Sequence, residues 1–210
     1  MTAETSQTLD RGLRLLEIVV EQPSGLSVGD LAEQLGVGRT VVYRLVATLE
    51  EHALVHRDHE GRVRLGLGVL TLTAAAQPLL RQLALPVLRE LADTVGATAH
   101  LTRAEGDDAV AVAVVEPRWT DFHVGYREGS RHLLSRGASG QAILSGRRGS
   151  SDVVRSSGEL QAGAYGVAAP VVGIRGVEAS VGVVSLAPLD AASELAVLAA
   201  AAKLLRVAQR

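Results

Sequence analysis

Four side chains at the start of one helix-like stretch could do chemistry on a polyanion: Arg39, Thr40, Tyr43 and Arg44. Helical spacing sets them on one side, with Val41, Val42, Leu45 and Leu49 read as the inward side. An arginine fork can pair bidentately with a guanine edge, and threonine and tyrosine hydroxyls can bond phosphate oxygens. The acids of the stretch, Glu50 and Glu51, come only at its far end. A second basic pair, Arg62 and Arg64, alternates with Val63 and Leu65 after the turn Asp58-His59-Glu60-Gly61. That pattern predicts a hairpin with its arginines outward. It suits contacts to a nucleic-acid backbone or minor groove, and equally suits a solvated edge strand protected by charge.

The second half offers less chemistry. His100, His123 and His132 show no HxxxH or HExxH spacing, so no metal site is expected. The chain has no cysteine, which excludes disulfides, thiol catalysis and Cys-ligated zinc. Ser139-Gly140 lacks the glycine pattern of a nucleophile elbow, and Gly137, Gly140 and Gly146 do not form a phosphate loop. No catalytic constellation emerges, so neither an enzyme nor a bound cofactor is expected. Trp119, Phe122 and Tyr126 could line a ligand site, or belong to a core or an interface.

These residues must be positioned by a chain of 210 residues, enough for one large domain or two small ones. With 47% hydrophobic and 21% charged residues it has the composition of a soluble globular protein. Aromatics are only 2%, so the core must be built from Leu, Val and Ala. Net charge is −2, and residues 1–66 carry seven Arg against ten Asp plus Glu. Bulk charge therefore gives no support for nucleic-acid binding, and any such function rests on local placement. The first residues lack a signal-peptide layout, and no uninterrupted apolar run is long enough to span a membrane. A cytoplasmic protein without a membrane partner is expected.

Leu9, Leu13, Leu16, Ile18, Val19 and Val20 predict a first helix over about residues 7–22, ended by Pro23-Ser24-Gly25. Ser27 reads as the N-cap of a second helix, with Asp30 three positions on, running to Leu35. Gly36 follows where the chain must turn, and glycine takes the left-handed conformation without steric cost. Ala32 is small enough for two crossing helices to approach. The unit reads as a helix-turn-helix, with an αα-hairpin in a core as the alternative.

Across residues 9–70 the first helix, the LAEQLGV turn, the TVVYRLVATLE helix and the hairpin closing on RLG occur in an order that resembles the DNA-binding half of IclR-family transcriptional regulators. The resemblance implies a winged helix-turn-helix in a dimeric or tetrameric factor. Its partner would be double-stranded DNA at a pseudo-palindromic operator, contacted by Arg39, Thr40, Tyr43, Arg44, Arg62 and Arg64. Leu67 to Gln77 is apolar and helix-forming, with breaks expected at Pro78 and Pro86. Pro86 would open a helix that Gly96 closes. By resemblance this is a linker helix that pairs the DNA-binding halves, dividing the chain into residues 1–66, 67–80 and 81–210.

Beyond it, alternation predicts strands over Thr98–Ala104, Ala109–Glu116, Phe122–Tyr126, Arg131–Leu134, Tyr165–Val172 and Val177–Leu186. A short helix is expected at Ser139–Leu144, and a last helix capped by Asp190. Antiparallel hairpins with flanking helices make an α+β domain. The runs GDDAVAVAVVEP, GSRHLLSRGASGQAIL and GVAAPVV resemble the GAF-like effector-binding domain of the same family. The resemblance implies a small organic effector, a carboxylate or aromatic, held at Ala138 and Ser139, where amides near a helix start can hold an acid. Glu159, Leu160, Gly166, Ala168, Val184 and Leu186 would line the rest of its pocket. Two departures stand out. The stretch between Arg148 and Glu159 is short and rich in Ser and Gly, so the effector domain reads as shortened. Val184 and Leu186 are apolar where carboxylate binders of the family present polar groups. The alternative is a ligand-independent dimeric DNA-binding protein with a degenerate effector domain.

Overall fold

The computed structural model describes residues 5–120 and 124–209. The chain divides into two compact units, Met1–Gln77 and Pro78–Arg210. No helix among the described residues is long and apolar enough to cross a membrane.

The first unit holds α1 (Gln7–Val20), α2 (Val28–Leu35), α3 (Arg39–Glu51) and a hairpin of β1 (Val55–Arg57) and β2 (Val63–Leu65). Ser27 closes a capping box on α2. Its hydroxyl accepts from the Asp30 amide at 3.2 Å, and the Asp30 carboxylate accepts from the Ser27 amide at 3.0 Å. Gly36 ends α2 in the left-handed region at φ 65°. The core joins Leu15, Val19, Leu31, Leu35, Val42, Leu45, Val46, Val55 and Val63. Each such aliphatic side chain contributes about 1.5–3 kcal/mol by leaving water. Val41 does not join them and stands 36% exposed. Val42, Leu45, Val46 and Leu49 form the i, i+3, i+4, i+7 stripe of α3, and Val41 lies off it. The wing is braced on the loop before α2. Leu26 and Val63 exchange backbone hydrogen bonds at 3.1 and 2.8 Å, adding a short third rung to the hairpin.

Helix α4 (Gly68–Val95) runs unbroken through both Pro78 and Pro86, where the sequence predicts breaks. A proline removes one donor and crowds the carbonyl four residues back, which bends a helix without ending it when flanking residues are good helix formers. The flanking Ala, Leu and Gln residues are of that kind. Gly96 stops the helix at φ 69°, its amide bonded to the Ala92 carbonyl at 2.8 Å.

The second unit is built on one antiparallel sheet in the order β5-β4-β3-β8-β7-β6. Its strands are β3 (Thr98–Glu105), β4 (Asp108–Val115), β5 (Arg131–Leu133), β6 (Val154–Ser157), β7 (Tyr165–Val171) and β8 (Ala179–Ser185). Alternation divides its residues between two faces. Ala99, Leu101, Ala113, Val115, Val167, Ala169, Val181 and Val183 share a core with α4 and with α6 (Ala191–Ala208). The opposite face carries Thr98, His100, Thr102, Ser180 and Ala168 and is covered by α5 (Gly137–Arg147). Asp190 caps α6, accepting from the Ser193 amide at 2.9 Å.

Three expectations for this unit change. Helix α5 extends beyond Ser139–Leu144 at both ends. Val124–Tyr126 belong to no strand, while Phe122 and His123 lie outside the described residues. β6 has no counterpart in the sequence reading. As an edge strand with Val154 its one aliphatic residue, it carries no apolar alternation to find.

His100 is buried in the polar layer, its Nδ1 3.1 Å from the Thr102 hydroxyl, opposite Gly182 on β8. A Cβ at Gly182 would stand 2.6 Å from the Val167 carbonyl oxygen and 2.9 Å from the imidazole, so glycine is required under the ring. Burial, aided by nearby His132, lowers the His100 pKa to about 4. Below about pH 6.5 the unfolded chain takes up a proton that the folded chain refuses, so folding stability falls from there down to about pH 4. The loss across that window should be about 3 kcal/mol, and absent above it. Chemical denaturation at a series of pH values should show the stability difference between wild type and His100→Gln changing by that amount. A constant difference would assign the pH response to other groups.

Candidate functional site

Arg39, Thr40, Tyr43 and Arg44 are all exposed on the first two turns of α3. The helix has no acid in its first turn, and its N-cap, Gly38, offers no side-chain cap. Neither Arg39 nor Arg44 forms an ion pair among the described residues. Tyr43 has a cationic neighbour that sequence reading did not single out: the Arg57 guanidinium lies 5.5 Å from the ring centroid, steadied by Glu50 at 3.6 Å. Arg57 stands on β1, paired across the hairpin with Val63, and the contact with Tyr43 on α3 forms only when the wing folds against that helix.

The wing arginines are engaged differently. Arg64 is half-buried, ion-paired to Asp58 at 2.7 Å and bonded to the Pro23 carbonyl at 3.0 Å. Its guanidinium holds the Asp58 carboxyl below the ordinary carboxylate range. Arg62 pairs with Glu60 at 3.2 Å and reaches the Gly25 carbonyl at 3.4 Å. Gly25, at φ 79°, leaves room for both; a Cβ there would stand 2.9 Å from Arg64 Cγ. These two side chains bind the wing to the loop before α2, and their charge is balanced locally. Of these two groups, it is therefore the α3 arginines and not the wing arginines that are without an ion pair among the described residues.

In the second unit a cavity of about 180 Å³ opens between the polar face of the sheet and the start of α5. Of the residues expected to hold an effector, Ala138, Ser139, Glu159, Leu160, Gly166 and Val184 line it. Ala168 does not, being fully buried against Ala138, Ala142 and Val154 under α5. Leu186 lies past the end of β8, exposed. His100, Val124, Tyr126, Ser156, Gln161 and Ala164 complete the lining. Thr98, His100 and Thr102 were the legible signal among these surroundings, a polar residue at every second place in an apolar strand. The three aromatics separate. Tyr126 lines the cavity, its ring edge-on to His100 at 5.2 Å. Trp119 is 65% exposed, held by its indole N–H on the Asp93 carbonyl at 2.8 Å. Phe122 is outside the described residues.

The cavity is polar at its base and closed by its own hydrogen bonds at the rim. The Tyr126 hydroxyl is buried beside Thr102 without closing a hydrogen bond of good geometry, and burial pushes its pKa up. The Ser139 hydroxyl meets His132 Nε2 at 3.2 Å, while the Ser139 carbonyl accepts from Ser180 at 2.9 Å. At the start of α5 the Gly137 amide donates to the Glu159 carboxylate at 2.8 Å, and the Ala138 amide to the Ser156 hydroxyl at 3.0 Å. Gln141 Nε2 donates to the same Glu159 oxygen at 2.9 Å. Among the described residues no cluster of His, Asp and Glu could hold a metal ion.

Residues 8–59 match the IclR helix-turn-helix domain, and residues 72–152 match the bacterial transcriptional regulator IclR C-terminal domain. The chain is 31% identical over 142 residues to the HTH-type transcriptional regulator KipR of Bacillus subtilis, covering 67% of this chain and 56% of that protein. It is 26% identical over 142 residues to the transcriptional repressor IclR of Escherichia coli, covering 66% and 52%. The matched region thus spans a little over half the length of these relatives. Solved structures share the fold. An IclR-family regulator from Rhodococcus sp. superposes with TM-score 0.63 at 20% identity, covering 100% of this chain and 95% of that one. An IclR homologue from Microbacterium hydrocarbonoxydans, complexed with 4-hydroxybenzoate, does so with TM-score 0.55 at 18% identity, covering 97% and 99%. With a winged helix-turn-helix ahead of an antiparallel α+β unit, and both family domains matched in order, the chain belongs to the IclR family of DNA-binding transcriptional regulators.

Proposed function

We propose that this chain is an effector-controlled transcription factor that inserts α3 into the major groove of an operator. One observation carries the reading: Arg39, Thr40, Tyr43 and Arg44 are exposed together at the start of α3, with both cations free of ion pairs among the described residues. A recognition helix reads base edges with the residues of its first turns. Arg44 is then a groove contact, while Arg39 and the uncapped amides of α3 face phosphate. Arg62 and Arg64 hold the wing in place and reach the DNA backbone only from the rim.

The functional unit in this reading is a homodimer, or a pair of dimers, on a pseudo-palindromic site. Leu67, Leu70 and Leu72 around the start of α4 are 81%, 64% and 60% exposed, an apolar face suited to a second copy of itself. The cavity of the second unit is the effector site, with room for a molecule of about one substituted ring. That one structural neighbour was crystallised with 4-hydroxybenzoate supports an effector of this size. A second reading, a ligand-independent dimer with a degenerate effector unit, gains from the internal partners of the Gly137 and Ala138 amides. It requires that no small organic compound raise the melting temperature in a thermal-shift screen.

Arg44→Ala should weaken binding to a selected genomic operator by about 1–3 kcal/mol, or roughly ten- to a hundredfold. Unchanged affinity in a mobility-shift titration would remove α3 from the groove. Wild-type affinity should fall steeply with salt. Leu70→Glu with Leu72→Glu should shift the sedimenting species towards the monomer, and an unchanged distribution would place the dimer contact elsewhere.

A further inference from the structure

Among the described residues the effector cavity carries one charged lining residue, Glu159, and its carboxylate sits where a bound acid would be held. A helix start offers amides that its own ladder cannot satisfy, and these favour an anion. At α5 they are already used. Gly137 donates to Glu159, with Gln141 donating to the same oxygen, and Ala138 donates to Ser156. Arg136, which directly precedes α5, is bonded to the backbone carbonyl of Glu159 and so fastens the same segment. Leu160 covers Gly137, whose φ of 72° and missing Cβ make the contact possible; a Cβ there would stand 2.6 Å from the leucine side chain.

From this geometry we infer that Glu159 is a built-in occupant of the acid position, so that the cavity selects a small uncharged ligand with a hydroxyl or amide group and excludes carboxylates. The inference rests on the reading of this cavity as the effector site. Two physical effects produce the selection. A ligand carboxylate entering beside Glu159 would place two like charges in one small cavity, with no cationic lining residue among the described residues to offset them. A ligand carboxylate that replaced Glu159 would compete with a group tethered three residues from Ser156, at an effective concentration on the order of millimolar or above. A neutral ligand avoids both costs. The Tyr126 hydroxyl, buried without a well-formed hydrogen bond, and the Ser139 hydroxyl, whose hydrogen-bond partner among the described residues is an imidazole nitrogen, remain to bond it.

The test compares benzamide with benzoate, which share a shape and differ in charge. Binding to the full-length protein is followed by amide chemical shifts at Tyr126, Ser139 and Val184. Wild type should bind benzamide at least tenfold more tightly than benzoate. Glu159→Ala should raise benzoate affinity at least tenfold and leave benzamide within a few-fold. Glu159→Gln keeps a hydrogen-bond acceptor without the charge, should behave intermediately, and serves if the alanine variant does not fold. Benzoate bound equally well by wild type and variants would overturn the inference while leaving the cavity an effector site. Shifts for neither probe in any of these proteins would overturn the inference together with the reading it rests on.

Discussion

Every helix begins with amide groups that its own ladder leaves unsatisfied, and how this chain disposes of them separates its two candidate binding surfaces. α2 spends them on Ser27 and α6 on Asp190. α5 spends them across the fold on Glu159 and Ser156. α3 spends them on no side chain, and it presents Arg39 and Arg44, which have no ion pair among the described residues, with no acid in its first turn. One helix start is left open where a polyanion is proposed to dock, and another is closed where a small acid would otherwise enter.

The second unit extends this economy of polar groups to a whole sheet. One face is aliphatic and shares its core with α4 and α6. The other buries Thr98, His100, Thr102 and Ser180, and each of these hydroxyls has a named partner: Val124, His100 and Ser139. Such a layer is tolerated because its hydrogen bonds are made, and it gives the cavity a polar base that an all-aliphatic core would lack. The cost is conformational selectivity: Gly182 must lack a side chain so that the His100 ring can lie over it.

Much of the first unit was legible in the sequence because its signals are local. Ser27 with Asp30, Gly36 and the hairpin around Gly61 each act within a few residues. What escaped was decided by packing at a distance. Val41 belongs to a valine pair of which only Val42 meets α1 and α2, and no spacing rule chooses between them without knowing where those helices lie. Pro78 and Pro86 looked like breaks because a proline's cost is visible in sequence, whereas the flanking helix that absorbs it is not. β6 has too little alternation to show. Arg64 read as a solvent-facing cation because its partners, Pro23 and Asp58, meet it only once the wing is folded. In the cavity the sequence pointed to Ala138 and Glu159 separately. Their shared helix start, which changes what the cavity can bind, exists only in three dimensions.

The central claim is that α3 is the surface that reads DNA. Amide hydrogen exchange on the full-length protein, with and without an operator fragment recovered from genomic DNA, tests it most directly. The account predicts new protection concentrated at Arg39–Val42, extending weakly to the wing, and none on the exposed side of α6. Protection that left Arg39–Val42 unchanged while the fragment was bound would contradict it.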